Sequence, residues 1–187
     1  FVGNPHGPSL KQMLETAATT RQPIKLASPG AGTLSHLGSI ALGQSAKAPM
    51  THVSYRGIPP ALTDLMAGNV DLLLDGISSS LPLIKAGRLK ALAVPAAARD
   101  PLLPDVPTLS ELGYADLDVL PFNALFANPK TPPEVLQKLD SVVRAVLASP
   151  EIKTELESRG LYPTTLTVEQ FRQRMSTESQ RWKHVIE

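Results

Sequence analysis

Cysteine is absent from the 187 residues, so no disulfide braces the chain and no thiolate does chemistry in it. Aromatic residues make up only 4% of the total, too few for a platform on which nucleobases stack. Neither sign of charge dominates: 18 Lys and Arg stand against 17 Asp and Glu, a formal net charge of +1. Without a basic field nothing draws the chain to a phosphate backbone, and nucleic acid is excluded as a partner. No run approaches the roughly 20 apolar residues of a membrane-spanning helix. His6, His52 and His184 are scattered without metal-ligand spacing, so neither a metal nor another cofactor is expected. The chain opens at Phe1 with no initiator Met and no signal peptide. Phe1-Val2-Gly3-Asn4-Pro5 reads as a strand end running into a turn, as though an earlier part had been cut away.

What the chain has in excess is proline, 18 residues placed mainly at element starts and in connections. That implies many short, punctuated elements. Ser9, with Gln12 at the capping-box position, predicts a helix to about Thr19. Ile24–Ala27 reads as a strand, 34–45 as a helix, Met50–Tyr55 as a strand and Pro59–Ala67 as a helix closed by Gly68. Val70–Leu74, Ser79–Ala86 and Leu89–Val94 continue as strand, helix and strand. Strand–helix units of this length imply a mainly parallel sheet with helices on its faces, an α/β fold. After a proline-rich stretch over 96–107 and a capped turn at Thr108–Glu111, Val119–Ala127 reads as a strand leading into three helices. Thr131-Pro132-Pro133-Glu134 predicts a cap at Thr131 and a first helical residue at Pro132. The helix that follows bears an apolar stripe through Val135, Leu136, Leu139, Val142, Val143, Val146 and Leu147. Thr167 with Gln170 caps the last helix, whose face is Val168, Phe171, Met175, Trp182 and Ile186.

The most informative stretch is Ser28-Pro29-Gly30-Ala31-Gly32-Thr33. It joins a strand end to a helix N-terminus, where unpaired N–H groups and the helix dipole favour an anion. Gly30 and Gly32 let backbone approach a ligand, and Thr33 can cap the helix or offer a hydroxyl. It is no dinucleotide fingerprint, because Ser35 replaces the third glycine, and no P-loop, because no Lys-Ser/Thr follows. His36, one turn along, can face the loop. Two further strand-to-helix turns point at the same crevice: Tyr55-Arg56-Gly57, with Tyr55 as the lining residue, and Asp75-Gly76-Ile77-Ser78, with Asp75 and Ser78. Ligands of open α/β sheets sit just there, outside the carboxyl ends of the strands. Ser28, His36 and Asp75 also invite a hydrolase reading, but no G-x-S-x-G elbow is present. Asp71 and Asp75 lie about 13 Å apart along a strand, beyond the roughly 5–9.5 Å of a glycosidase pair.

The runs Ile24–Thr33 with His36-Leu37, His52-Val53-Ser54-Tyr55-Arg56-Gly57, Pro60–Asp71, Ile84–Val94 and Leu103-Pro104-Asp105-Val106-Pro107-Thr108, with the terminal Arg181-Trp182, resemble the TctC or Bug family of extracytoplasmic receptors. The resemblance covers nearly the whole chain. It implies a type II periplasmic-binding-protein fold, two α/β lobes closing like a flytrap on a solute. Residues 4–120 would be the second lobe, and 121–187 would return to complete a first lobe whose opening part is absent. It implies a periplasmic, non-enzymatic receptor for a small organic carboxylate or amino acid, which passes its solute to the membrane permease of a tripartite tricarboxylate transporter. The family usually carries Asn where Ala31 stands, which alters the expected ligand preference and leaves backbone contacts. Lacking part of the first lobe, the chain is expected to self-associate through its C-terminal helices. Two other readings compete: the effector domain of a LysR-type transcription regulator, and a small α/β hydrolase using Ser28 or Thr33.

Overall fold

The computed structural model describes residues 1–114, 117, 119 and 121–186. They fall into two compact units, Phe1–Pro121 with Ser179–Glu187, and Phe122–Glu178.

In the first unit β1 (Val2–Gly3) is followed by α1 (Leu10–Thr20), β2 (Ile24–Ser28), α2 (Leu34–Ser45), β3 (Met50–Ser54), α3 (Ile58–Ala67), β4 (Leu72–Leu73), α4 (Ile77–Lys85) and β5 (Lys90–Ala91). Local chemistry sets these bounds. The Ser9 hydroxyl accepts from the Gln12 N–H while the Gln12 side chain accepts from the Ser9 N–H, closing the expected capping box. Gly68, at φ 77°, ends α3 in the left-handed conformation that glycine adopts at least cost.

The sheet order is β3-β2-β4-β1-β5. β2 pairs in parallel with both β3 and β4, while β1 is antiparallel to β4 and β5. Four strands therefore share one direction and β1 opposes them. Strand alternation sends side chains to two cores. Ile24, Leu72 and Leu74 join Leu10 and Leu14 of α1 and Leu42 of α2 on one face. Ala27 and Leu73 join Ala61, Leu62 and Leu65 of α3 on the other. Trp182 is partly buried against the first of these cores.

The second unit holds α5 (Pro133–Ala148), α6 (Pro150–Ser158) and the larger part of α7 (Val168–Ile186). Phe122 and Phe126 pack on Phe171, at 5.6 and 5.9 Å between ring centroids. No residue of α5 or α6 is buried. Among the described residues no helix is long and apolar enough to cross a membrane.

Two expectations are corrected. Residues 121–127 form no strand, and Leu120 lies outside the described residues. An extended segment becomes a strand only by laddering its N–H and C=O groups with a neighbour. Nothing among the described residues ladders with this one, and Leu125 is 82% exposed. The helix expected to start at Pro132 starts at Pro133, with Pro132 as N-cap and no side-chain cap from Thr131. The ring of Pro133 drives its predecessor out of the helical region, and Pro132 stands at ψ 141°.

Candidate ligand site at the C-terminal edge of the sheet

Parallel register brings three turns together. Ser28 pairs with Ser54, and Ala27 with Leu73, so β2, β3 and β4 all end at one edge of the sheet. The turns after them, 29–33, 55–57 and 74–76, leave from that edge, with β2 between its two neighbours.

The first turn is held by its own side chains. Ser28 is completely buried; its hydroxyl donates to the Gly30 carbonyl (2.9 Å) and accepts from the Gly30 N–H (3.2 Å). The Thr33 hydroxyl donates to the same carbonyl (2.7 Å) and accepts from the His36 N–H, so Thr33 is the N-cap of α2. The Gly32 N–H donates to His36 Nδ1 (3.1 Å), which places the proton of a neutral His36 on Nε2. Gly32 itself sits at φ 75° with nothing near its missing Cβ, so conformation rather than space calls for glycine. Ala31 and Gly32 are exposed, and Gly30, Thr33 and His36 are half-buried. With these bonds made, the N–H groups of Leu34 and Ser35 have no acceptor among the described residues. They are the open donors at the positive end of α2.

His52 is the residue that sequence reasoning missed. It is not isolated. Its ring stacks on His36, 3.8 Å between centroids and 20° between planes, and its Nε2 lies 2.6 Å from the Ser28 hydroxyl. Which of the two donates in that bond follows the His52 tautomer. Strand parity carried the signal: Met50 faces the core shared with α2, so His52, two residues on, faces α2 as well. Burial of the ring, and then the neighbouring His36, hold His52 below the ordinary histidine value.

The second turn is tied to both neighbours. The Tyr55 N–H donates to the Ser28 carbonyl (2.9 Å), and its hydroxyl donates to Asp64 Oδ2 (2.7 Å) on α3. Burial, with the Asp64 hydrogen bond and charge, pushes the phenol up to about 12, so Tyr55 remains neutral. In the third turn Asp75 Oδ2 accepts from the hydroxyls of Ser79 (2.7 Å) and Ser80 (2.5 Å) at the start of α4. Asp75 is half-buried and Ser78 exposed. Among the described residues no three His, Asp or Glu side chains converge as metal ligands.

Comparison with known proteins gives the context. The family described as "Tripartite tricarboxylate transporter family receptor" matches residues 2–187. A protein encoded in the tcbD-tcbE intergenic region of Pseudomonas sp. (strain P51) is 34% identical over 178 residues, which are 95% of this chain and 53% of that one. Two solved structures superpose closely. The adipate complex of R. palustris Rpa4515 has a TM-score of 0.87 at 27% identity, over 96% of this chain and 60% of that one. The periplasmic binding protein BugD has a TM-score of 0.86 at 28% identity, over 98% and 63%. The chain thus has the α/β fold of periplasmic binding proteins, as the sequence resemblance implied, and spans between half and two-thirds of the length of these relatives.

Proposed function

We propose that this chain, which belongs to the tripartite tricarboxylate transporter receptor family, is the part of a periplasmic solute receptor that holds a small organic carboxylate for delivery to a membrane permease. The observation that carries the reading is the pair of open N–H donors on Leu34 and Ser35. They lie at the positive end of a 12-residue helix, where three turns leave one sheet edge. Such an end receives a carboxylate without a cation beside it. The adipate bound to Rpa4515 is a ligand of the same chemistry.

In this reading Ser28, Thr33 and His36 hold the loop in shape while Gly30, Ala31 and Gly32 present its backbone. Tyr55, Asp75 and Ser78 border the same crevice from the flanking turns. Residues 4–120 form one jaw, and the segment from 121 returns to the other before Ser179–Glu187 rejoins the first unit. Receptor rather than hydrolase chemistry is favoured by Ser28, whose side chain is completely buried and so cannot reach a substrate carbonyl.

The test is calorimetric. The full-length receptor is titrated with C4 to C6 dicarboxylates, the corresponding monocarboxylates and the uncharged diamides. Binding of one or more carboxylates with no heat from the diamides is the expected result. Diamides binding as tightly as the acids, or silence from every acid, would reject the assignment.

A further inference from the structure

The opposite edge of the same sheet carries a feature that the carboxylate reading leaves unused. Ile24 and Met50 pair where β2 and β3 begin, about 13 Å along the strands from the Ser28–Ser54 pair. α1 and α2 both end on this side, and beside their ends lies a recess of about 320 Å³. Its floor is apolar. Ile40 and Met50 are half-buried in it, and Met50 lies so close to α2 that a Cβ on Gly43 would meet its side chain at 2.9 Å. Its rim is cationic. Arg21 and Lys47 line it, both exposed, and among the described residues no Asp or Glu does.

The two cations share a backbone conformation. Among the described residues Arg21 (φ 62°) and Lys47 (φ 52°) are the only ones besides glycine at positive φ. Each stands just past a helix: Arg21 is the C-cap of α1, and Lys47 follows Ala46, the C-cap of α2. Glycine is the usual residue in that left-handed position, because a Cβ crowds the neighbouring carbonyl there. At both stops beside the recess the chain keeps a long basic side chain instead. Neither side chain makes a hydrogen bond or ion pair among the described residues, and nor does that of Gln44 on the same rim. The negative end of a helix attracts a cation, which accounts for either charge taken singly. It does not account for two strained, unpaired cations bordering one apolar floor.

We propose that this recess is a second binding site, for an organic acid whose carboxylate is joined to a compact apolar body such as an aromatic ring. The carboxylate is taken by Arg21 and Lys47, with the Gln44 amide as a further donor, and the apolar body covers Ile40 and Met50. Such a site discriminates twice. A neutral molecule of the same shape leaves the cations without a partner, and a small anion has no apolar surface to bury. At about 320 Å³ the recess falls at the lower end of small-molecule pockets, which run from roughly 300 to 1,000 Å³. The proposal is independent of the carboxylate reading above. The recess lies at the far end of α2 from the anion loop, so a solute at the loop and an acid in the recess do not compete.

Benzoate, benzyl alcohol and acetate separate the two requirements. They are titrated into the full-length protein labelled with ¹³C-methyl methionine, and the Met50 signal is identified by its loss in Met50→Leu. Benzoate should shift that signal, binding at least tenfold tighter than benzyl alcohol or acetate. Replacing both cations, Arg21→Gly with Lys47→Gly, should weaken benzoate at Met50 at least tenfold. Glycine suits both backbone positions, so this variant should melt as high as the parent or higher, and lost binding is then not lost fold. Arg21→Gln with Lys47→Gln, which keeps two long side chains without their charge, should weaken benzoate to the same extent. A Met50 signal that benzoate leaves unmoved, or that acetate or benzyl alcohol moves as readily, overturns the site. So does a benzoate affinity that is equal in parent and variants. A glycine variant that melts lower than the parent would show that the cations serve the helix ends, and the inference would fall. Dicarboxylate binding at the anion loop is read by calorimetry and stands or falls separately from the Met50 signal.

Discussion

His52 links β3 to the anion loop through one hydrogen bond and one ring stack. Its folded-state value lies below the ordinary 6.5 because burial, and then His36, disfavour the cation. The sign follows from linkage. A base with a depressed folded-state value binds more protons unfolded than folded, so stability rises with pH across that interval. The contribution is complete above pH 6.5 and is lost as pH falls below it towards the folded-state value. Melting temperature should therefore drop from pH 7.5 to pH 5, and His52→Gln should flatten the slope. A parent and variant with parallel profiles would remove His52 as the titrating group. The residue was partly legible in the sequence. Alternation along Met50–Ser54 assigns His52 to the face of α2, but only the register of β2 against β3 sets it beside Ser28.

Among elements, the seam between α2 and β4 sets the shape of the site. It closes tightly because Gly38 has no side chain: a methyl there would come within 2.7 Å of Val119 and 2.8 Å of Leu74. Val119 is β-branched and stiff at χ1, and both neighbours lie in a close-packed core, so they can yield only at a cost. Gly38→Ala should destabilise the protein by about 1–3 kcal/mol in denaturant melts. It should also lift the start of α2 from the β4 edge and weaken carboxylate binding in the same sample. Unchanged stability would mean that Val119 moves freely and that the seam places nothing. The elements themselves were well marked. The Ser9–Gln12 box and Gly68 bound α1 and α3 by chemistry that acts within a few residues of chain. Residues 121–127 carry no such local signal, because an apolar run becomes a strand only where a distant segment pairs with it.

At the scale of the molecule, the apolar stripe of α5 stands out. Val135, Leu136, Leu139, Val142 and Val146 are each between 41% and 51% exposed, on a helix with no buried residue. Helices carry such a stripe to bury it. The relatives are longer than this chain by a third or more of their own length. Expressed as these 187 residues alone, the protein should self-associate through α5 at micromolar concentration. Light scattering should give masses above 20.0 kDa that revert towards it in Leu139→Lys. A monomeric parent would show that the stripe needs no partner. The last helix was expected to take part as well, yet Trp182 already packs against the first unit's core and Phe171 against Phe122, so α5 carries more of the open face.

The sequence by itself determined what short-range physics decides. Proline placement, capping boxes and glycine stops set where helices begin and end, and alternation set which strand residues face a core. Motif runs spread along the whole chain named the family. Tertiary structure alone decided what depends on residues distant in the chain. Parallel register gathered the turns after Ser28, Ser54 and Leu73 at one edge. It also stacked His36 on His52 and left the buried Ser35 hydroxyl unpaired. The reason is the reach of each interaction. A cap or an alternation pattern is complete within a handful of residues, whereas a binding site is made by side chains whose proximity exists only once the sheet has formed.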